Sequence, residues 1–376
     1  MGIVMEMLCK IRAGIIHFLY TKILKKYFFL FDPEDIHEGM TKMGVLLGDH
    51  TLTRWKTSLL FSYQNPVLEQ EILGIKFKNP IGLAAGFDKE ARLTKILPSV
   101  GFGFAEVGSI TGEPCQGNPK PRLWRLPDQK SLVVYYGLKN EGCEATYKRL
   151  TSEKFEFPVG ISVAKTNCAG TAGRAAGIAD YVKAYRVMLP IGDYMTINIS
   201  CPNAYGGLPF TTPESLDELL VAIDKVPTSK PIFLKLSPDL TRSELDGLLE
   251  VASRHMICGF ICSNLTKNKN NPRLTGAKIP EKGGLSGKVL EDLANDQIAN
   301  VYRKTAGKSV IIGLGGIFCA ADAYKKIRLG ANLLQLITGM IFEGPQLIGQ
   351  INQGLVVLLK KDGFNNITEA VGVDNR

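Results

Sequence analysis

The chain has 376 residues, with 45 Lys and Arg against 36 Asp and Glu, a net charge of +9, and 45% hydrophobic to 22% charged residues. Those are globular values, so disordered, collagen-like and coiled-coil chains are excluded. The length suits two or three ordinary domains, or one α/β barrel with an appendage.

Residues 1–30 carry Lys10, Arg12, Lys22, Lys25 and Lys26 against Glu6 alone, about half of the net charge. No stretch there reaches the ~18 uninterrupted apolar residues of a membrane span. The apolar groups Ile15, Ile16, Phe18, Leu19, Ile23, Leu24, Tyr27 and Phe28 are punctuated by cations. That pattern predicts an interfacial amphipathic helix drawn to an anionic membrane surface; a helix packed on its own domain is the alternative. No basic stripe or aromatic–basic motif follows, so no nucleic-acid partner is expected. Asp32-Pro33-Glu34 marks a second helix start, running through His37, Met40 and Met43 to about Leu47. Residues 1–65 thus read as a helical extension and 66–376 as the main domain.

From Val67 the pattern changes. Residues 67–78 alternate around a glycine and predict a hairpin closing a barrel floor. Eight short apolar, β-branched runs follow: Pro80–Ala84, Phe104–Ser109, Val159–Ala164, Met195–Ser200, Ile232–Leu236, Gly259–Ser263, Val310–Leu314 and Leu333–Ile337. Each is followed by a segment of helical periodicity, examples being Ala91–Leu97, Tyr181–Leu189, Ser215–Val226, Arg242–Arg254, Val289–Thr305, Ala321–Leu329 and Gln346–Lys361. Eight strand–helix alternations predict a (β/α)₈ TIM barrel. A doubly wound open sheet competes, but no G-x-G-x-x-G follows the first run.

Eight cysteines are scattered at 9, 115, 143, 168, 201, 258, 262 and 319 without a C-x-x-C pair or a preceding secretory signal, which favours a reducing compartment over a disulfide framework. Cys258 and Cys262 read as buried on one face of a strand. The four His, at 17, 37, 50 and 255, show no ligand spacing, so no metal site is expected.

In such a barrel, chemistry sits at the C-terminal strand ends. There the chain offers Ala85-Gly86-Phe87-Asp88-Lys89, Ser109, Asn198-Ile199-Ser200-Cys201-Pro202-Asn203, and Ser263-Asn264. Lys89 reads either as a cation at the mouth or as a solvated turn residue. Lys235 lies inside an apolar strand, where it needs an anionic ligand or a structural ion pair. Glycine clusters at 283–287, 313–316 and Thr338-Gly339 place backbone amides where barrels cradle phosphate. Phosphate cradle, buried cation, side-chain amides and one thiol together suit a flavin mononucleotide (FMN).

Seven motifs stand in order: NPIGLAAGFDK (79–89), EVGSIT (106–111), GNPKPRLWRLP (117–127), NISCPN (198–203), LKLSPD (234–239), GGLSGK (283–288) and IIGLGG (311–316). On these the chain closely resembles the dihydroorotate dehydrogenase family from about Asp32 to the C-terminus, and its helical extension resembles the membrane-associated, quinone-reducing class. The resemblance implies FMN held by Ala85, Gly86, Ser109, Ser162, Asn198, Lys235, Ser263, Gly287, Gly315, Gly316, Ile337 and Thr338. It implies substrate contacts from Lys89, Tyr136, Gly137, Leu138, Asn198, Asn203 and Asn264, with Cys201 as catalytic base. His37 and Arg125 match positions lining a quinone tunnel. Four positions depart from the pattern. Cys201 stands where the quinone-linked class has Ser, and a thiol ionises far more readily than a hydroxyl. Val134 stands where a substrate-binding Asn is usual, Ser162 replaces an FMN-contacting Asn, and Ile337 takes a Tyr position.

The implied activity is oxidation of dihydroorotate to orotate in pyrimidine synthesis, with electrons passed through FMN to a quinone. The alternatives are another acceptor such as fumarate, another reduced ring, or a non-catalytic flavin binder. A monomer is the expected state. The start lacks an Arg- and Ser-rich presequence, so a peripheral place on the cytoplasmic face of a bacterial membrane is expected over the mitochondrial inner membrane.

Overall fold

The computed structural model describes residues 2–208 and 210–375, with side chains from Met7 onward in the first helix. The chain opens with α1 (Gly2–Leu19), a π-helical turn over Tyr20–Leu24, and α2 (Lys25–Phe28). At α3 (Pro33–Gly48) the start signal is realised: the Asp32 carboxylate accepts the backbone N–H groups of Glu34 and Asp35 at 2.8 and 3.3 Å. α4 (Thr51–Phe61) has no side-chain cap at His50 and hence no start signal in the sequence.

Helix α1 packs on its own domain along one side. Arg12 donates to the carbonyls of Leu59 and Ser62, His17 Nδ1 lies 3.2 Å from the Glu343 carbonyl, and the Tyr20 hydroxyl donates to the Ile341 carbonyl at 2.7 Å. Its other side leaves Met7, Ile11, Ile15 and Phe18 exposed. Among the described residues no helix is long and apolar enough to cross a membrane.

The expected floor hairpin is present as β1 (Gln70–Ile72) and β2 (Ile75–Phe77). Phe77 plugs the barrel base, packing edge-on against Phe104 within a buried cluster that includes Tyr194, Phe233, Ile261 and Ile312. The next strands are β3 (Ile81–Leu83), β4 (Phe104–Ile110), β5 (Leu123–Leu126), β6 (Ser131–Val134), β7 (Val159–Val163) and β8 (Tyr194–Asn198). After them come β9 (Ile232–Leu236), β10 (Ile257–Cys262), β11 (Gly284–Gly287), β12 (Val310–Leu314) and β13 (Leu333–Leu336). Strands β3-β4-β7-β8-β9-β10-β12-β13 form a closed parallel barrel, which removes the open-sheet alternative. Buried on both faces, these strands are near-continuous apolar runs, which is why all eight are legible in the sequence.

The surrounding helices are α5 (Leu97–Val100), α6 (Cys143–Leu150), α7 (Arg174–Met188), α8 (Pro213–Asp224) and α9 (Arg242–Ala252). They continue with α10 (Glu291–Lys304), α11 (Ala320–Arg328), α12 (Thr338–Glu343) and α13 (Leu347–Lys361). The helix expected at Ala91–Leu97 does not form. Asp88 instead turns the chain by accepting the backbone N–H groups of Arg92 and Leu93, both at 2.8 Å, and Ala91 takes a left-handed φ of 55° that interrupts helical propagation. Cys258 is only half-buried while Cys262 is buried, because an irregularity between Ile257 and Gly259 breaks the two-residue alternation. A three-stranded antiparallel sheet, β5-β6-β11, covers the mouth and was not expected. Its strands are only four residues long and come from distant parts of the chain.

Helix α3 is pinned to this mouth by a buried ion pair. Arg122 donates to the Glu34 carboxylate from Nη2 at 2.7 Å and from Nε at 3.0 Å; the side chains are 6% and 5% exposed. Burial opposes the charge, but the Arg122 hydrogen bonds and charge hold the Glu34 carboxyl below its ordinary range. Glu34→Ala leaves the guanidinium buried without its partner and is expected to cost about 3 kcal/mol in denaturant unfolding at neutral pH. Because the folded carboxyl titrates low, that difference is full above the ordinary carboxylate range and shrinks as pH falls below about 4.

Candidate active site

The C-terminal strand ends open into a cavity walled on the far side by the β5-β6-β11 sheet and by His37 of α3. Its lining brings together Ala85, Gly86 and Lys89 after β3, Ser109 of β4, Asn198, Cys201 and Asn203 at the end of β8, Lys235 of β9, and Asn264 after β10. Tyr136, Gly137 and Leu138 come from the mouth loop, and Gly287, Gly315, Gly316, Ile337 and Thr338 from the strands that follow. Of the residues singled out in the sequence, Ser162, Ser263 and Arg125 lie outside this lining. Ser162 shares a 2.8 Å hydrogen bond with Ser109, Ser263 donates to the Leu314 carbonyl, and Arg125 donates to the Phe31 carbonyl while stacking 4.6 Å from the Phe29 ring.

Polar groups are fixed by a connected network. Lys235 Nζ sits 3.3 Å from Glu106 Oε1, and Glu106 Oε2 accepts from Thr196 at 3.0 Å and Gln335 at 3.2 Å. The buried lysine therefore has a structural anion and still reaches the cavity. Asn198 Nδ2 donates to Ser109 Oγ at 2.8 Å, Ser200 donates to Asn198 Oδ1 at 3.0 Å, and Asn264 Nδ2 donates to Ser200 Oγ at 2.8 Å. Each amide thus has one defined orientation.

Four groups facing the cavity titrate abnormally, among them Tyr136, whose phenol burial pushes up. Burial, helped by Lys139, lowers Lys89 to about 8, and its ammonium lies 4.0 Å from the centre of the Tyr136 ring. Burial and the Lys89 charge push His37 down to about 4, so the imidazole is neutral; its Nε2 lies 3.0 Å from the Phe87 carbonyl. Burial pushes the Cys201 thiol up, opposed by the Asn203 backbone amide and by the charges of Lys267 and Lys165.

The remaining corner is bare backbone. Gly287 and Gly316 have φ of 101° and 74°; a Cβ on Gly287 would lie 2.5 Å from the Lys130 carbonyl oxygen, and one on Gly316 2.5 Å from Glu291 Cα. Only glycine fits there, and it leaves peptide groups facing the cavity beside Thr338. Amides at one corner, a fixed cation on the floor and oriented side-chain amides between match a planar ring carrying a phosphate.

Fold and site define a barrel oxidoreductase of the flavin-binding kind. The family profile described as dihydroorotate dehydrogenase matches residues 67–359, and the chain belongs to that FMN-dependent family. It is 37% identical over 354 residues to a dihydroorotate dehydrogenase (quinone) of Nitratiruptor, covering 94% of this chain and 99% of that protein. A mitochondrial dihydroorotate dehydrogenase (quinone) of Mus musculus is 36% identical over 374 residues, covering 96% and 91%. A crystal structure of the Eimeria tenella enzyme in complex with ferulenol superposes with a TM-score of 0.82 at 29% identity, covering 92% of this chain and 96% of that one.

Residues of the site with no local signature include Lys139, Leu265 and Phe318, which line the cavity from loops. Glu106 lay inside a recognisable motif, EVGSIT, yet only the fold shows its carboxylate beside Lys235.

Proposed function

We propose that the chain oxidises dihydroorotate to orotate and passes the electrons to a quinone. The observation that carries this is the placement of Lys89, Asn203 and Asn264 with Cys201 around one cavity whose other half is the Lys235 floor and the glycine corner. Gly287, Gly315, Gly316 and Thr338 would hold the FMN phosphate, with Ala85, Gly86, Ser109, Asn198, Lys235 and Ile337 around its ring; Ser162 and Ser263 would act from behind Ser109 and Asn264. FMN, when bound, supplies a two-electron acceptor for hydride.

Lys89 binds the substrate carboxylate, while Asn203 and Asn264 orient its ring amides beside the Tyr136–Leu138 backbone. Cys201 Sγ takes the C5 proton as hydride leaves C6, and the C5–C6 double bond of orotate forms. Lys235 offers a cation to negative charge collecting on the acceptor ring. Val134 contributes only its carbonyl, which accepts from Asn203 Nδ2 at 2.8 Å, so the ligand hydrogen bond of the usual Asn is missing.

The quinone reading rests on the names of the relatives and on the apolar approach to the cavity. Leu123, Leu132, Phe318 and Ile341 line the same cavity as the neutral His37, with Arg125 at the α2 side against Phe29 and Phe31. The membrane reading rests on the exposed Ile15, Phe18, Ile23, Leu24, Met43, Leu46, Trp55 and Leu59, interspersed with Lys10, Lys22, Lys26, Lys42 and Lys56. A peripheral position on the cytoplasmic face of a bacterial membrane, as a monomer, fits this arrangement.

Anaerobic dihydroorotate is expected to bleach the flavin absorbance of the purified holoenzyme, and a soluble quinone to restore it faster than fumarate or NAD. Cys201→Ala is expected to stay yellow and bleach at least about 100-fold more slowly; fast bleaching removes Cys201 from the base role, and preferential re-oxidation by fumarate removes the quinone. Orotate affinity, read from the flavin spectrum, is expected to weaken by up to about tenfold per pH unit above 8, where Lys89 loses its proton, and to be weak and pH-independent in Lys89→Met. Co-sedimentation should show stronger binding to phosphatidylglycerol vesicles than to phosphatidylcholine vesicles, reduced by salt and by Ile15→Asp/Phe18→Asp. No binding to either vesicle would overturn the membrane reading.

A further inference from the structure

We infer that Lys267 is a positioning residue for the proton-abstracting side of the site: its ammonium orients the Asn203 amide and supports a thiolate at Cys201. This deepens the reading above and rests on Cys201 lying against the substrate. Lys267 Nζ donates to Asn203 Oδ1 at 3.1 Å. With Oδ1 held by a cation, Asn203 Nδ2 is directed to the Val134 carbonyl at 2.8 Å, and the Asn203 carbonyl accepts from Asn118 at 3.1 Å. The loop carrying the thiol is thereby fixed from two sides, at a place where Val134 offers no side-chain hydrogen bond.

Lys267 is itself held. Its backbone N–H donates to Asp239 Oδ2 at 2.7 Å, the Thr266 hydroxyl donates to Asp239 Oδ1, and Thr266 exchanges backbone hydrogen bonds with Leu285 of the mouth sheet. From the opposite side Lys165 donates to the Tyr205 carbonyl at 2.8 Å, gripping the same loop. The thiol is faced by these two lysines, by the Cys115 thiol and by the Tyr181 hydroxyl. The carboxylates that face the lysines are otherwise engaged, Asp239 as above and Asp180 with the Thr166 backbone N–H and hydroxyl at 2.6 and 2.8 Å. Lys269 adds a further positive charge near Lys267. A thiol whose ionisation is opposed by burial is thus favoured toward thiolate by two cations, one of which also holds the Asn203 amide two residues away.

The test uses the full-length FMN-loaded enzyme without substrate. Iodoacetamide alkylation of Cys201 is followed by peptide mass spectrometry across pH, so the thiol's ionisation is read without turnover. Lys267→Met and Lys267→Gln are expected to move its midpoint upward, slowing alkylation about three- to tenfold at pH 7.5, and to move the alkaline limb of flavin reduction in parallel. Lys267→Arg is expected to restore both, and Lys267→Met to raise the orotate dissociation constant. Unchanged midpoints in folded, yellow Lys267→Met and Lys267→Gln overturn the inference even if Cys201→Ala fails to bleach. Conversely, a shifted midpoint combined with a fast-bleaching Cys201→Ala leaves Lys267 acting on the thiol and refutes only the base assignment.

Discussion

A lysine and a glutamate face each other at 3.3 Å in the middle of the barrel, with side chains 2% and 0% exposed. Two such charges survive burial only when the surrounding groups complete their hydrogen bonding. Here the Glu106 carboxylate of β4 collects Lys235 from β9, Thr196 from β8 and Gln335 from β13, so four of the eight strands meet at one anion. Below them lies the aromatic plug around Phe77 and Phe104; above them, the cavity. The pair marks the level at which packed core gives way to site, and it fixes the height and position of the cation presented to the cavity.

Above that level, order is passed along by hydrogen bonds between side chains. Ser162 holds Ser109, Ser109 holds Asn198, and Asn198 with Ser200 holds Asn264. The cavity-lining amides therefore inherit the rigidity of the strands rather than the looseness of the loops, as a site for near-attack geometry requires. The loop after β8 follows a different rule. It is gripped by lysines from the ends of β7 and β10, so its position is set by charge as well as by hydrogen bonds.

The barrel was legible because parallel strands covered on both faces must be apolar throughout, and eight such runs alternate with amphipathic segments. Most of the candidate site was legible because its residues sit within contiguous motifs at strand ends. What escaped depends on contacts distant in sequence. The β5-β6-β11 sheet joins residues near 130 to residues near 285, and neither segment has enough alternation to announce a strand. The segment Ala91–Leu97 has helical spacing, but a buried Asp88 competes for the very N–H groups that a helix would start from. Lys267 carries no motif at all; only the folded chain brings it to Asn203. Ser162 and Ser263 stand at motif positions, yet one layer behind the cavity wall.

Two polar anchors of the N-terminal segment, Arg12 and Tyr20, end on main-chain carbonyls, those of Leu59, Ser62 and Ile341, whereas His17 also meets the side chains of Gln346 and Glu343. A carbonyl is supplied by whatever residue occupies the position. Where Arg12 and Tyr20 land, the receiving positions can therefore exchange their side chains over evolutionary time without losing the grip, while the two donors are constrained. Drift should accordingly be lopsided, slow at Arg12, at Tyr20 and at His17 with its partners Glu343 and Gln346, and fast at Leu59, Ser62 and Ile341 and along the outward apolar flank, where bulk and oiliness matter more than identity.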